Sequence, residues 1–480
     1  MHDFIDTIQR KLIEAAPPAL AVMAVGGLIL ALLYWAWYGK AMDASPGKKP
    51  SKGQLAAALL LLCYLGGLAA VTLMRMNSGI RMDIQTRPFL ALMEAWGAFT
   101  LQVWLNPLLN IAMFVPLGVL LPLAVRLFRR WYWMLAAGAG VSFVIEALQY
   151  ILKRGQADVD DLICNTLGAM LGYCLCMAVA SLPEKRWKAT ATYAVLPVLS
   201  AAALAGVFIA YQLQPYGNLT NAPVFAADVR KISWELACEL PSQPETAGVY
   251  WAEPFTANTC DGFAAEFLAQ VGVEDIFAQD VDYYVNTTYY SDHRTYCLIV
   301  DHNDRSYQYS DYRVDDDLRY GAWGASTEAE LREYLAGLGI DVPDAAEFID
   351  EGEGEYTFRA GRVVEDDTLI DGELTCHVAA DGTVYQVDNA MAVCTLHSEV
   401  PVISPEEAYS RLCEGWVSRP EAYSLEYMGA REVRVTACTL EYIADTKGFR
   451  QPVYYFTLSD DQDEALRGGS AWRAFVPARA

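Results

Sequence analysis

Histidine is scarce in this chain of 480 residues: there are five, and none stands in a His-Glu-x-x-His or other zinc-binding spacing. No two cysteines are spaced Cys-x-x-Cys, and no serine sits in a Gly-x-Ser-x-Gly turn. Structural zinc, redox dithiols and the common hydrolase nucleophile therefore have no basis in the sequence. His293 lies four residues before Cys297, and His377 follows Cys376 directly; both pairings read as chance. Cys63, Cys164, Cys174 and Cys176 fall in apolar runs and read as small hydrophobes. The remaining seven cysteines lie in the C-terminal half, an odd number that cannot form a complete disulfide framework within one chain.

Positive charge is the next shortage, with 35 Lys and Arg against 59 Asp and Glu. The imbalance is local: residues 1–211 carry 17 basic and 11 acidic side chains, and residues 212–480 carry 18 and 48. So acidic a surface repels nucleic acid and anionic headgroups, which excludes nucleic acid as a partner. The C-terminal part is expected to stand off the membrane, with cations and neutral or basic ligands left open.

Long apolar runs are plentiful before residue 212. A span needs about 20 mostly apolar residues, and the stretches 18–38, 55–74, 107–125, 131–150, 162–182 and 189–211 each approach that. The fold class that follows is an α-helical membrane bundle of about six transmembrane helices, then an α+β extracytoplasmic domain with antiparallel sheets. The first run ends in Tyr34-Trp35-Ala36-Trp37-Tyr38, an interfacial aromatic cluster and not a cleavage site, so it reads as a retained helix. Loops one, three and five hold ten Lys and Arg against two acids, while the N-terminus and loops two and four hold seven against eight. The odd loops are thus expected in the cytoplasm, and both termini with residues 212–480 outside it.

Ionisable residues inside apolar runs call for a reason. Ser142, Glu146, Gln149 and Tyr150 share one helical face by i, i+3 and i+4 spacing. After a short turn, Asp158, Asp161 and Asn165 again share a face, and Asp158 or Asp160 suits the N-cap of the next helix. Asn106-Pro107 reads as an N-cap with proline at the first helical position, Asn110 following one turn on and Pro116 placed to kink the helix. These positions give a candidate outward-facing ligand pocket of Asn110, Glu146, Gln149, Arg154, Asp158, Asp160, Asp161 and Asn165. The competing reading is that the same groups satisfy one another and fix helix packing. No cofactor is called for, although clustered carboxylates are hard ligands suited to Mg²⁺ or Ca²⁺, and such an ion would bridge to a lipid phosphate.

The run Asn110-Ile-Ala-Met-Phe-Val-Pro116-Leu-Gly118-Val-Leu-Leu-Pro122, then Glu146-Ala-Leu-Gln149, Arg154, Asp158, Asp160, Asp161, Asn165, Thr166, Leu167, Gly168 and Gly172, resembles the VanZ-like family over about residues 60–182. The resemblance implies a multi-pass protein of a bacterial, Gram-positive envelope. The family's namesake is associated with low-level resistance to teicoplanin, so the expected partners are the bilayer, a lipid-linked cell-wall intermediate or the glycopeptide, and an envelope protein reached through the acidic domain. The extension beyond residue 211 departs from the family's usual extent.

In that extension, helices are expected over 260–271, 327–338 and 405–416. Thr327 with Glu330 forms a capping box, and Ser404-Pro405-Glu406-Glu407 sets an N-cap, an N1 proline and an N3 glutamate. Strands are expected over 282–290, 296–300, 306–309, 356–359, 374–379, 383–387, 434–442 and 452–457, with turns at His302-Asn303-Asp304 and Asp381-Gly382. Two subdomains are expected, 212–340 and 341–480. The second resembles PepSY and YycI-like extracytoplasmic modules in its order of strand pair, Ser-Pro-Glu-Glu-Ala-Tyr helix and strands ending in Gln451-Pro-Val-Tyr-Tyr-Phe. Three functions stay open: a non-enzymatic envelope protein of the resistance type, an intramembrane enzyme acting on a lipid-linked phosphate, and a signalling protein with an extracytoplasmic sensor.

Overall fold

The computed structural model describes residues 51–73, 84–152, 157–219, 221–252, 257–273, 276–282, 286–301, 305–314, 323–365, 367–427, 431–460 and 472–479. The expected first span at 18–38, Arg154 and the turn at 302–304 lie outside them. The chain divides into two compact units, one of residues up to Ala95 with Val103–Leu213, the other of Trp96–Gln102 with the residues from Gln214 onward.

The first unit is helical, with α1 (Lys52–Leu73), a short α2 (Leu90–Ala98), α3 (Leu101–Ala124), α4 (Trp131–Ile151), α5 (Val159–Ser181) and α6 (Trp187–Leu213). Five of these are long and apolar enough to cross a membrane, α2 being the exception. Their apolar side chains point outward as well as inward: Phe143, Val144, Ile151, Val179, Val198, Leu199 and Leu213 are all exposed. A soluble domain does not leave so many large hydrophobics in water; a bilayer accommodates them.

The expected start of the third span at Pro107 is corrected, because α3 begins at Leu101 and holds Pro107, Pro116 and Pro122 in its interior. The apolar residues ahead of Asn106 continue the helix, and in a helix packed among neighbours the backbone groups freed by proline can be satisfied locally. What holds α3 against α5 is the absence of side chains. A Cβ added at Gly168 would meet the Ile111 carbonyl oxygen at 2.0 Å, one at Gly172 the Val115 oxygen at 2.0 Å, and one at Gly118 the Ala169 oxygen at 1.9 Å. Backbones this close replace hydrophobic driving force with dense van der Waals contact. Around them Leu61, Leu68, Phe114, Leu117, Met134, Ile145, Ala169 and Tyr173 form the unit's core, and the Tyr64 hydroxyl donates to the Met113 carbonyl at 2.7 Å.

The second unit is a sheet of 14 strands among the described residues, in the order β3-β14-β15-β4-β13-β11-β12-β8-β7-β6-β5, with β16 paired to β15 and β10 and β9 branching from β11. The strands are β3 (Ile232–Leu236), β4 (Thr246–Trp251), β5 (Ile276–Asp282), β6 (Asn286–Ser291), β7 (Tyr296–Asp301), β8 (Tyr307–Asp311), β9 (Glu347–Gly352), β10 (Glu355–Glu365), β11 (Thr368–Val378), β12 (Val384–Asn389), β13 (Ala392–Pro401), β14 (Arg431–Ala444), β15 (Phe449–Asp460) and β16 (Trp472–Pro477). Pairing is antiparallel except between β14 and β3. The other expected strands all exist, mostly longer than foreseen, while β3, β4, β9, β13 and β16 were not foreseen; of the stretch 282–290, Asp282 ends β5, residues 286–290 belong to β6, and residues 283–285 lie outside the described ones.

The helices are α7 (Ala257–Gln270), α8 (Glu328–Gly337), α9 (Pro405–Cys413) and α10 (Arg419–Tyr427). The capping box of α8 forms as expected, as does the Ser404 cap of α9. Gly382, at φ +85, turns the β11–β12 hairpin, with Asp381 accepting from the Thr383 N–H at 2.9 Å. Two cores result. One joins α7 and α8 to residues of β6 to β8 and β10 to β12, including Phe267, Leu298, Tyr309, Leu335 and Phe358. The other joins α9 and α10 to residues of β4 and β13 to β16, including Val249, Leu412, Phe456 and Val476. The expected division at residue 340 does not separate them, because β10 to β12 extend the first core and β4 returns to the second. Strand β13 is the seam, pairing with β11 over Ala392–Thr395 and with β4 over Thr395–Pro401.

On β12, Asp388 accepts from His377, Gln386 and Gln308, the His377 contact being 3.0 Å. Burial pushes its carboxyl up, and these hydrogen bonds more than reverse that, leaving it below its ordinary value. A lowered carboxylate contributes stability that is present above about pH 3.9 and is lost as pH falls through the folded value. Asp388→Asn should therefore flatten the fall in stability between about pH 4 and the lowered value, by about 0.5 kcal/mol once solvent screening is allowed for. Thermal unfolding of wild type and variant at pH 6 and pH 3 measures it. Parallel curves would refute it.

Candidate functional site

The polar residues of the first unit gather where α3, α4 and α5 meet. Asp158 is extended, at φ −125° and ψ 127°, and its side chain accepts from the Asp160 N–H at 2.8 Å, so it is the N-cap of α5. The Asp158 N–H in turn donates to Glu146 Oε2 at 3.1 Å, tying the cap to the last turns of α4. One turn deeper on both helices, Asn165 Nδ2 donates to the Ser142 hydroxyl at 3.0 Å. The Asn110 side-chain amide reaches Asp161 from α3. Glu146, Asn165 and Ser142 are buried. The result is a ladder, Ser142 and Glu146 on one helix facing Asn165 and Asp161 on the other, each pair spaced i, i+4.

Five expected site residues thus come together: Asn110, Glu146, Asp158, Asp161 and Asn165. Two face elsewhere. Asp160 is 2% exposed, and its carboxylate accepts from the Phe89 N–H and, at 2.7 Å, from the Ala91 N–H, so it caps α2 from a distant part of the chain. Gln149 donates to the Thr72 carbonyl at 3.1 Å at the end of α1. Two short strands, β1 (Ile84–Gln85) and β2 (Ala157–Asp158), pair in parallel beside the cluster. That pairing puts the second and fourth loops on one side of the bundle, as alternation of spans requires.

Like charges crowd one another in the cluster. Asp158 and Asp161 both repel the Glu146 carboxylate, and Glu94 adds repulsion at Asp158. Glu94, Ser142 and Thr166 were not among the expected site residues. Ser142 was visible as part of the polar stripe on α4, whereas Glu94 sits in a segment with no periodic signal. The acceptors are not all used: Asn165 Oδ1 and Thr166 Oγ1 are buried without a hydrogen-bond partner among the described residues. Among those residues, no three His, Cys, Asp or Glu side chains are grouped so as to hold a metal ion. What the arrangement offers is a row of oxygen acceptors in an apolar bundle.

No curated protein matches the chain. Among solved structures, it is similar to the crystal structure of an uncharacterized protein from Eubacterium rectale, at 11% identity over 52% of this chain and 87% of that one, with a TM-score of 0.25. A likeness at that score does not define the fold. Residues 57–180 match the VanZ/LLP1 family model. That stretch runs from α1 to the end of α5 and contains the whole ladder. With five helices long and apolar enough to cross a bilayer, the chain is a multi-pass membrane protein, and residues 57–180 of its helical unit are similar to the VanZ/LLP1 family.

Proposed function

We propose that this protein lowers susceptibility to lipidated glycopeptides of the teicoplanin type by a non-enzymatic binding role in the bacterial envelope, with the ladder of α3, α4 and α5 engaging a headgroup rich in hydrogen-bond donors or positively charged. The supporting observation is Asn165 Oδ1, buried and without a hydrogen-bond partner among the described residues, beside the Ser142 hydroxyl and one turn from the level of Glu146. An unsatisfied buried acceptor costs about 1–3 kcal/mol, which an N–H or O–H group entering the site recovers. A bare phosphate meets repulsion from Glu146, Asp158 and Asp161, so a donor-bearing ligand is favoured over the phosphate of a lipid-linked substrate. In this reading both termini and the acidic unit lie outside the cytoplasm, and the PepSY- and YycI-like part of that unit docks or senses an envelope partner.

The test is teicoplanin susceptibility of a Gram-positive host without the gene, with it, and with Glu146→Ala or Asp161→Ala. The gene should raise the inhibitory concentration several-fold. Each substitution should return it to the gene-free value, with the amount of protein in the membrane unchanged by immunoblot. Equal susceptibility in all four strains removes the resistance reading.

A further inference from the structure

Among the described residues of the acidic unit, a cavity has walls that run against the unit's charge. It measures about 290 Å³ and lies at the β13 seam, where the two cores meet. Arg305, just ahead of β8, lines it from the first core, and Arg450 on β15 lines it from the second. Cys394 stands in the same wall, and the charges of Arg450 and Arg305 both offset part of the rise that burial imposes on its thiol. Arg305 is held at φ +66°, a conformation that L side chains seldom adopt and that local structure must enforce.

The other polar groups are also arranged as donors. Tyr307 accepts from Asn389 Nδ2 at 2.9 Å, which leaves its own proton for an acceptor in the cavity. Burial pushes the Tyr307 phenol up to about 12, so it stays a donor at any physiological pH. Asn389 Oδ1 is itself occupied by the Met391 N–H at 2.9 Å. Acidic balance comes from Asp341, which also lines the cavity, and from Asp371, which is outside the lining and near Arg450. Phe263, Ile340 and Leu374 supply an apolar wall. A larger cleft of about 640 Å³ elsewhere in the unit lacks this character, because Asp311, Glu330 and Glu333 line it against a single arginine, Arg313.

We propose that the cavity at the β13 seam binds a small amphiphilic anion, its carboxylate or phosphate head held between Arg305, Arg450 and the Tyr307 hydroxyl and its apolar body against Phe263, Ile340 and Leu374. Arginine forks match both oxyanions, and charge-assisted bonds are the stronger kind. Seams between subdomains are common places for such ligands. Because the two guanidinium groups belong to different cores, the anion joins them.

Isothermal titration calorimetry of the full-length protein in nonionic detergent tests this, with hexanoate, hexyl phosphate and hexanol as probes. At least one of the two anions should bind at millimolar concentration, which identifies the head the site takes, while hexanol should not bind. Arg450→Gln should weaken binding by about tenfold or more. Val393, 56% exposed at the cavity wall, gives a second variant that leaves the core intact: Val393→Asp should abolish binding by repulsion. Binding of neither anion by the wild type, equal binding of hexanol, or unchanged affinity in folded Arg450→Gln and Val393→Asp would each overturn the proposal.

Discussion

Asp445→Ala is expected to cost about 4 kcal/mol, one of the two largest single-residue effects in the molecule. The Asp445 side chain is 1% exposed and accepts from the Gly217 N–H at 2.7 Å, the Lys447 N–H at 2.7 Å, the Phe449 N–H at 3.0 Å and the Gln451 side-chain amide. Gln451 also donates to the Gly217 carbonyl at 2.8 Å, and Arg479 donates to Gln451 at 2.9 Å. One carboxylate therefore binds the segment that opens the second unit to the β14–β15 hairpin. Removing it strands several buried donors, each costing about 1–3 kcal/mol before water relaxes the site. Burial pushes this carboxyl above its ordinary range, against the pull of the donors around it. The pH-dependent part of its contribution is thus complete at low pH and is lost as pH rises through the raised value, the reverse of Asp388, while the hydrogen bonds themselves remain. Hydrogen exchange at Val453 and Phe456 on β15 should accelerate by about a thousandfold in Asp445→Ala. Acceleration below tenfold would show that the carboxylate is dispensable.

Gly172→Leu should separate α3 from α5. Its Cβ would fall 2.0 Å from the Val115 oxygen, backbone that cannot swing aside, so the helices must part or shift register. Overpacking of this kind costs roughly 3 kcal/mol. Gly140 is the control, because a Cβ there has nothing within 4 Å. Unfolding in mixed detergent with rising SDS should show Gly172→Leu giving way well before wild type and Gly140→Leu close to it. Coincident curves for the two variants would mean that close backbone approach contributes little. Because the ladder depends on the same crossing, Gly172→Leu should also lose whatever Glu146→Ala loses in the susceptibility assay.

Five of the six expected spans were legible because a run of about 20 apolar residues has few other stable uses. The caps of α5, α8 and α9 were legible because the hydrogen bond involved is local and its residue types are few. The Ser142, Glu146, Asp161 and Asn165 ladder was legible in halves, since i, i+4 spacing fixes which residues share a face but not which helix they meet. What escaped depends on partners remote in sequence. Asp160 looked like a neighbour of its own helix and instead caps α2, 71 residues earlier. Leu90–Ala98 is too short for its period to register and is held at its start by that carboxylate. Strands β4 and β13 are defined by pairing across the seam, with β4 joined to residues about 150 positions away. Arg305 and Arg450 carry no motif at all; only the sheet brings them to one cavity.

The bond from Asp160 to Phe89 and Ala91, with the parallel pairing of Ile84–Gln85 to Ala157–Asp158, also sets an order of assembly. A chain emerging from the ribosome presents Leu90–Ala98 long before Asp160 exists. Its start must wait uncapped while two further helices are made. Closing a loop of that length is an entropic step that local helix formation does not need. The helices can insert one by one as they appear, but the polar end of the bundle is completed late, by a single side chain at the head of α5, the fourth of the five described spanning segments. Nascent chains halted before residue 157 should therefore hold inserted helices with an open ladder, and those long enough to carry residue 165 clear of the ribosome a closed one.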